Sequence, residues 1–508
     1  MSVYNTKIVA KNTMMLYIRM LLNLAISLYT SRIVLNVLGI EDYGIYNVVG
    51  GFVLMLGVLN NAMSNATQRY LSFYLVESRR SKLSSVFLMS VNIHFIIGVF
   101  VFLVAEVVGI YFLNNVMTFP PDRISSATVV FHLSVAAFFT NVVTVPYTAL
   151  IIAHERMSVF ALGSIVESTL KLLSVFLLQI IGFDKLIVYA LLILLVTVIV
   201  KAAYFIYCIQ LYKESRVKWF WDASLFKELF AYAGWNLWGN VAGVLSNHGV
   251  NVILNVFFGP AVNAARGIAF EIRAAINALV YNFQLAMNPQ IIKTYASNER
   301  DSMFKLIFQG SKLSFFLLFF FSLPLYLECH YVISLWLKTV PDYSVVFTRL
   351  ILINLLVDCV SGPLMTAAQA TGKIRMYQLL VGGSLLFILP VSYFLLTLGY
   401  TPQSTFVVSI VFSFVALLHR LLMLRKLLGL GIIMFLSKVL LPLLLFALLS
   451  LVAPVIFVCT MSDGILRFLV VIAASILNSI IAFYYICLRK EERNTIRNFI
   501  INKISTLR

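Results

Sequence analysis

The side chains of this sequence best placed to do chemistry are cations and amides set inside apolar runs. Arg19 lies about six residues, or about 9 Å, into the first run, and Arg273 about twelve residues, or about 18 Å, into the eighth, near the middle of a bilayer. A guanidinium offers a planar fork that pairs bidentately with phosphate, which makes both arginines candidates for holding an anionic substrate group. Basic groups at such depth are costly unless they face a cavity or a partner. Lys171 is similarly deep, but Glu167 stands one helical turn before it, so a structural ion pair and a functional site fit it equally well. Glu271 is two residues from Arg273, points to another side of a helix and does not neutralise it. Asp358, in the middle of the tenth run, suits either a coupling-ion site or a satisfied interhelical carboxyl.

Polar stripes at helical spacing surround these cations. They run through Asn12, Arg19, Asn23, Ser27 and Thr30; through Asn47, Gly51, Asn61, Asn65 and Gln68; through Asn236, Asn240, Asn247 and Asn251; and through Asn263, Arg266, Arg273, Asn277, Gln284 and Asn288. Hydrogen bonding in a dry helix bundle accounts for one or two amides per helix. Four stripes point to a wet cavity, because unsatisfied amides are expensive in hydrocarbon. The substrate-binding candidates are therefore Arg19, Asn23, Asn61, Asn65, Asn247, Asn251, Arg266, Arg273 and Asn277, with Asp358, Glu167 and Lys171 as an ion-coupling or structural set.

Other chemistries lack their residues. The 6 histidines show no metal-ligand spacing, and there is no phosphate-binding glycine loop and no nucleophile constellation. No cofactor, metal or ATP hydrolysis is expected, which leaves an ion gradient (H+ or Na+), the substrate gradient or both to drive transport. The 5 cysteines are scattered through apolar runs and read as small buried hydrophobes.

The elements that must position these groups follow from composition. Of the 508 residues, 61% are hydrophobic and 11% charged, against about 25% charged in soluble domains. With a mean hydropathy of +0.97, the chain is an all-α polytopic membrane protein. Fourteen apolar runs can cross a bilayer: 13–37, 43–66, 85–113, 124–151, 159–181, 185–208, 225–255, 261–288, 305–329, 345–370, 377–398, 403–424, 432–458 and 465–488. Boundaries of this kind leave room for twelve or thirteen spans as well. The net charge of +18 would suggest nucleic acid in a soluble protein; here it is mostly a topology signal. With the N-terminus inside, the outer segments hold only Arg123, Lys185, Arg266, Lys338 and Arg467, while the basic clusters and the tail fall inside. Both termini are expected to be cytoplasmic. Among the remaining cations, Lys201, Lys312 and Lys438 lie within about two turns of inner ends and can snorkel.

The two halves echo one another. Leu35-Asn36-Val37-Leu38-Gly39 returns as Leu254-Asn255-Val256-Phe257-Phe258-Gly259, and the spacing from Pro146 to Ala153 and Arg156 returns from Pro363 to Ala370 and Lys373. A parallel repeat six spans long predicts two lobes related by an axis along the membrane normal. The expected organisation is a six-helix lobe over 1–208, a cytoplasmic interfacial linker over 209–224, a second lobe over 225–427, an extra helix pair over 428–488 and a basic amphipathic tail over 489–508.

Short motifs then carry a family likeness. Leu28-Tyr29-Thr30-Ser31-Arg32, Glu41-Asp42-Tyr43-Gly44-Ile45-Tyr46 and Met63-Ser64-Asn65-Ala66-Thr67-Gln68-Arg69, followed by Asn263-Ala264-Ala265-Arg266-Gly267 and Ala368-Gln369-Ala370-Thr371-Gly372-Lys373, resemble bacterial O-antigen and capsular polysaccharide repeat-unit flippases. These belong to the multidrug/oligosaccharidyl-lipid/polysaccharide exporter superfamily. The resemblance covers roughly the first 375 residues. It implies a transporter rather than an enzyme, located in the bacterial inner membrane. It also implies translocation of an undecaprenyl-pyrophosphate-linked glycan to the periplasmic leaflet, with a cationic cavity on the first, second, seventh and eighth helices, and membrane lipids and a polysaccharide polymerase as partners. Two other classes compete. An ion-coupled exporter of drugs or other small molecules needs an acidic, aromatic pocket, whereas the deep charge here is cationic. A membrane polymerase or ligase is expected to use sizeable outer loops, and these are short.

Overall fold

The computed structural model describes residues 6–55, 63–64, 67–68, 70–71, 80–154, 156–216, 218–371, 374–488 and 492–494, with backbone alone at 6–18, 231–240 and a few other helical positions. The described chain is helical, as its composition requires: in hydrocarbon the backbone must satisfy its own hydrogen bonds, and helices do so within one segment. The principal helices are α1 (Thr6–Met55), α2 (Arg80–Val104), α3 (Ile124–Ala153), α4 (Met157–Ile180), α5 (Lys185–Leu211), α6 (Ala223–Val244), α7 (Val250–Phe258), α8 (Pro260–Ala296), α9 (Arg300–Leu327), α10 (Ser344–Val360), α11 (Ile388–Thr397), α12 (Ser404–Leu428), α13 (Leu441–Thr460) and α14 (Ile465–Ala482). Among the described residues, 12 helical stretches are long and apolar enough to cross a membrane.

Two features separate that number from the fourteen apolar runs. The first stretch, Arg19–Met55, contains a break at Gly39, whose φ of 84° and ψ of 172° only glycine adopts without strain. One helix thus becomes two limbs, matching the separate runs 13–37 and 43–66. The second feature is α8. It is 37 residues long, but the charges Arg266, Glu271 and Arg273 and amides such as Asn277, Gln284 and Asn288 lower its hydropathy, and it is not among the 12. Gly259 ends α7 with φ 76° and ψ −176°, nearly the backbone turn of Gly39, and Pro260 then starts α8. The sequence echo between Leu35–Gly39 and Leu254–Gly259 is therefore also an echo of backbone geometry.

The chain divides into two compact units. The first comprises Met1–Ile268, Leu337–Ser344 and Leu385–Thr405. It takes in the expected first lobe together with α6, α7 and the start of α8. Its core forms where α3 packs on α2 and α5, and α1 on α4. Ile45, Val48, Val49 and Phe52 from the second limb of α1 meet Val130, Phe131 and Val135 of α3 in one buried cluster. Phe87, Tyr147, Leu150, Val200 and Cys208 form another. The second unit comprises Ala269–Trp336, Val345–Ser384 and Phe406–Arg508. There Phe315, Phe316 and Phe319 of α9 stack around Phe446 of α13.

Several expectations are corrected. Lys312 does not snorkel: it is buried, and its Nζ donates to the Cys487 carbonyl at 2.6 Å, placing a cation on the last turn of the final helix. Cys459 is exposed, while the other cysteines are buried thiols as expected. It shares the outward face of α13 with Val455 and Ile456. In the 209–224 connection, Lys213–Ser215 forms one 3-10 turn, and Trp219 and Trp221 are exposed, as suits an interfacial segment. His154 fastens this connection: its Nε2 is 2.8 Å from Glu214 Oε1, and its ring stacks on Tyr212. The expected amphipathic tail over 489–508 falls almost wholly outside the described residues.

Candidate functional site

Within the first unit, the candidate residues gather into two groups. The first lies on α1, α4 and α5. Arg19 places its guanidinium 4.7 Å from the centre of the Phe160 ring, and its buried Nε has no hydrogen-bond partner among the described residues. One turn along, the Asn23 amide donates to Ser164 Oγ at 2.7 Å. Lys171 and Glu167 form the ion pair that their spacing predicts, at 2.7 Å. Lys201 of α5 joins them, since Glu167 feels both lysines electrostatically, and its ammonium lies 5.8 Å from the Tyr204 ring. The Tyr204 hydroxyl donates to the Phe160 carbonyl at 3.2 Å, closing the α4–α5 side.

The second group surrounds the break between α7 and α8. A π turn, Leu245–Gly249, precedes α7. Asn263 donates to the carbonyl and the side-chain oxygen of Asn251 at 2.7 and 2.8 Å, and accepts from Asn255 at 3.1 Å. Asn251 reaches the Asn47 carbonyl at 3.3 Å, and Arg266 donates to the Asn247 carbonyl at 2.8 Å. Asn251, Asn255, Asn263 and Arg266 are buried. These amides join the second limb of α1 to α7 and the first turns of α8, as interhelical polar contacts do in membranes. The same helices approach closely at Gly44, where a Cβ would lie 1.9 Å from the Pro260 carbonyl oxygen.

In the second unit, Arg273 stacks on Phe270, its guanidinium 5.3 Å from the ring centre, with Asp358 of α10 as an electrostatic partner. No spacing pairs these two, because they stand on helices far apart in the chain. Asn277 is exposed on α8. Asn61 and Asn65 lie outside the described residues.

Charge pairs that sequence spacing did not suggest sit at helix ends and the connections beside them. Arg123 bridges Asp42 at 2.9 Å and Asp184 at 3.0 Å. Asp184 also accepts from Ser126 Oγ at 2.7 Å and caps α5 through the Leu186 amide at 3.0 Å. Partial burial works to raise the Asp184 pKa. The hydrogen bonds from Ser126, Leu186 and Ile187, with the Arg123 charge, outweigh it and hold the carboxyl below its usual value. In the second unit, Arg467 grips Glu328 bidentately, both contacts at 2.8 Å, and also bonds Asp463.

This helical fold is shared with solved membrane transporters. It matches the structure titled "Lipid II flippase MurJ, inward closed conformation" with a TM-score of 0.70 at 14% identity, over 93% of this chain and 98% of that one. A MATE structure in complex with MaD3S matches with a TM-score of 0.60 at 14% identity, over 82% and 96%. A MOP superfamily transporter from Pyrococcus furiosus matches with a TM-score of 0.57 at 13% identity, over 82% and 96%. At these identities the likeness is one of fold. The chain itself belongs to the polysaccharide biosynthesis protein family, whose model matches residues 9–297. No curated protein sequence matches it.

Proposed function

We propose that this protein flips undecaprenyl-pyrophosphate-linked oligosaccharide repeat units from the cytoplasmic to the periplasmic leaflet of a bacterial inner membrane. It works by alternating access, with fourteen spans and both termini cytoplasmic. The observation that carries the reading is membership of a polysaccharide biosynthesis family by a chain whose fold is shared with a lipid II flippase. The chemistry agrees: Arg19 and Arg273 supply guanidinium groups inside membrane-spanning helices, each seated on an aromatic ring, where a pyrophosphate would find bidentate donors. Asp358 beside Arg273 is the acid through which H+ or Na+ would couple. A polysaccharide polymerase would consume the product.

The test is complementation of a strain lacking the flippase for its own surface polysaccharide. The wild-type chain restores display; Arg19→Ala and Arg273→Ala insert normally but do not. Normal display by both variants overturns the roles given to the arginines, and failure of the wild-type chain to restore display overturns the reading. Drug efflux from a sensitised host, with no effect on display, would move the protein to the multidrug branch of the same fold.

A further inference from the structure

We infer that Arg19, Lys201 and Lys171 form an ascending track for a lipid-borne phosphate along the polar side of α4 in the first unit, with Glu167 as its internal counter-charge. This deepens the flippase reading and rests on it for the identity of the phosphate carrier. α4 supplies the scale. Arg19 meets α4 at Phe160, three residues from its start; Glu167 stands seven residues further on, and Lys171 one turn beyond that. At 1.5 Å per residue, Phe160 to Lys171 spans about 16 Å, roughly half the hydrocarbon thickness. Lys201 of α5 sits beside Tyr204, whose hydroxyl bonds the Phe160 carbonyl where Arg19 meets α4, and its charge is felt at Glu167.

Glu167 thus answers two lysines and Arg19 stands apart from it, so the group keeps an excess of positive charge inside membrane-spanning helices. Such an excess is expensive unless an anion or water completes it. The site is also open. The Lys171 side chain is 38% exposed and that of Glu167 24%, and Lys171 leans toward Glu167, one turn nearer the start of α4, instead of away along the helix. The buried Nε of Arg19 retains a donor with no partner among the described residues at the foot of the track. A phosphate entering beside Arg19 would pass to the ammonium of Lys201 and then to that of Lys171, where it would displace Glu167. Both a polyprenyl pyrophosphate and an ordinary anionic phospholipid carry the required group.

The test uses full-length protein in zwitterionic nanodiscs, offered undecaprenyl pyrophosphate in one arm and phosphatidylglycerol in the other, with retained lipid measured by native mass spectrometry. Arg19→Gln, Lys171→Gln and Lys201→Gln should each weaken retention about tenfold or more, the loss of one charge-assisted hydrogen bond. Glu167→Gln should tighten it several-fold, a sign that general damage to the fold cannot imitate. Weakening in the undecaprenyl pyrophosphate arm identifies the track with the substrate. If the wild-type protein retains only phosphatidylglycerol and the variants weaken that, the track stands and the flippase reading loses its support here. If undecaprenyl pyrophosphate is retained equally by the wild type and all four variants, the track is overturned and the flippase reading stands. Retention of neither lipid by the wild type overturns both.

Discussion

The Glu328–Arg467 pair allows a stability prediction worked from geometry. Glu328 ends α9 and is almost fully buried, its side chain 1% exposed, and Arg467 in the first turn of α14 is 12% exposed. Nε meets Oε1 and Nη2 meets Oε2, both at 2.8 Å, a bidentate fork between two charged groups. Arg467→Met removes both bonds and leaves a buried carboxylate without its cation, a change that typically costs about 3–5 kcal/mol. The double variant Glu328→Gln/Arg467→Met removes the charge as well as the bonds, and replacing both members of a buried pair is often close to neutral. Melting followed by intrinsic fluorescence in detergent should therefore show a large drop for Arg467→Met and recovery of most of it in the double variant. An Arg467→Met melt within error of wild type would refute the reasoning. So would a double variant at least as unstable as the single one, because the damage would then not come from a stranded charge.

Two further stability predictions follow from the first unit. Gly44→Ala would put a Cβ 1.9 Å from the Pro260 carbonyl oxygen, where backbone meets backbone, and should cost about 1–3 kcal/mol; Gly50→Ala meets nothing within 4 Å and should be neutral or stabilising, so equal melts for the two variants would contradict the close approach. The Asp184 pKa is held down in the folded protein, so its contribution to stability is fully present above the ordinary carboxylate range and is lost as pH falls through the folded value. Melts of wild type and Asp184→Asn should differ at neutral pH and converge in acid, and a gap that widens on acidification would reverse the assigned sign.

The fold was legible in the sequence to the extent that lipid dictates it. Apolar run length alone located the helices, because backbone in hydrocarbon has few ways to satisfy itself. Gly39 and Gly259 were legible as partners in an echo, and the structure gives both the same left-handed turn. The i,i+4 pair Glu167–Lys171 was also legible, since helical spacing brings the two side chains together. What was not legible is every contact that depends on which helix lies beside which. Arg123 and Arg467 look in the sequence like stray outer-loop charges; in the structure each holds a carboxylate from a segment 61 to 139 residues away. The cations near inner helix ends make the same point about the candidate site. Lys201 and Lys312 satisfy one sequence criterion, nearness to an inner end, and both look free to snorkel. The packing of α5 on α4 brings Lys201 within the field of Glu167, its ammonium 5.8 Å from the Tyr204 ring, while Lys312 is sealed against the last helical carbonyl of the described spans. Depth along a helix is a property of one segment and can be read from it. The sign and size of the charge around a lysine belong to its neighbours. That is why Lys201 enters the candidate site only when α4 and α5 are placed side by side, and why Lys312 leaves consideration by the same step.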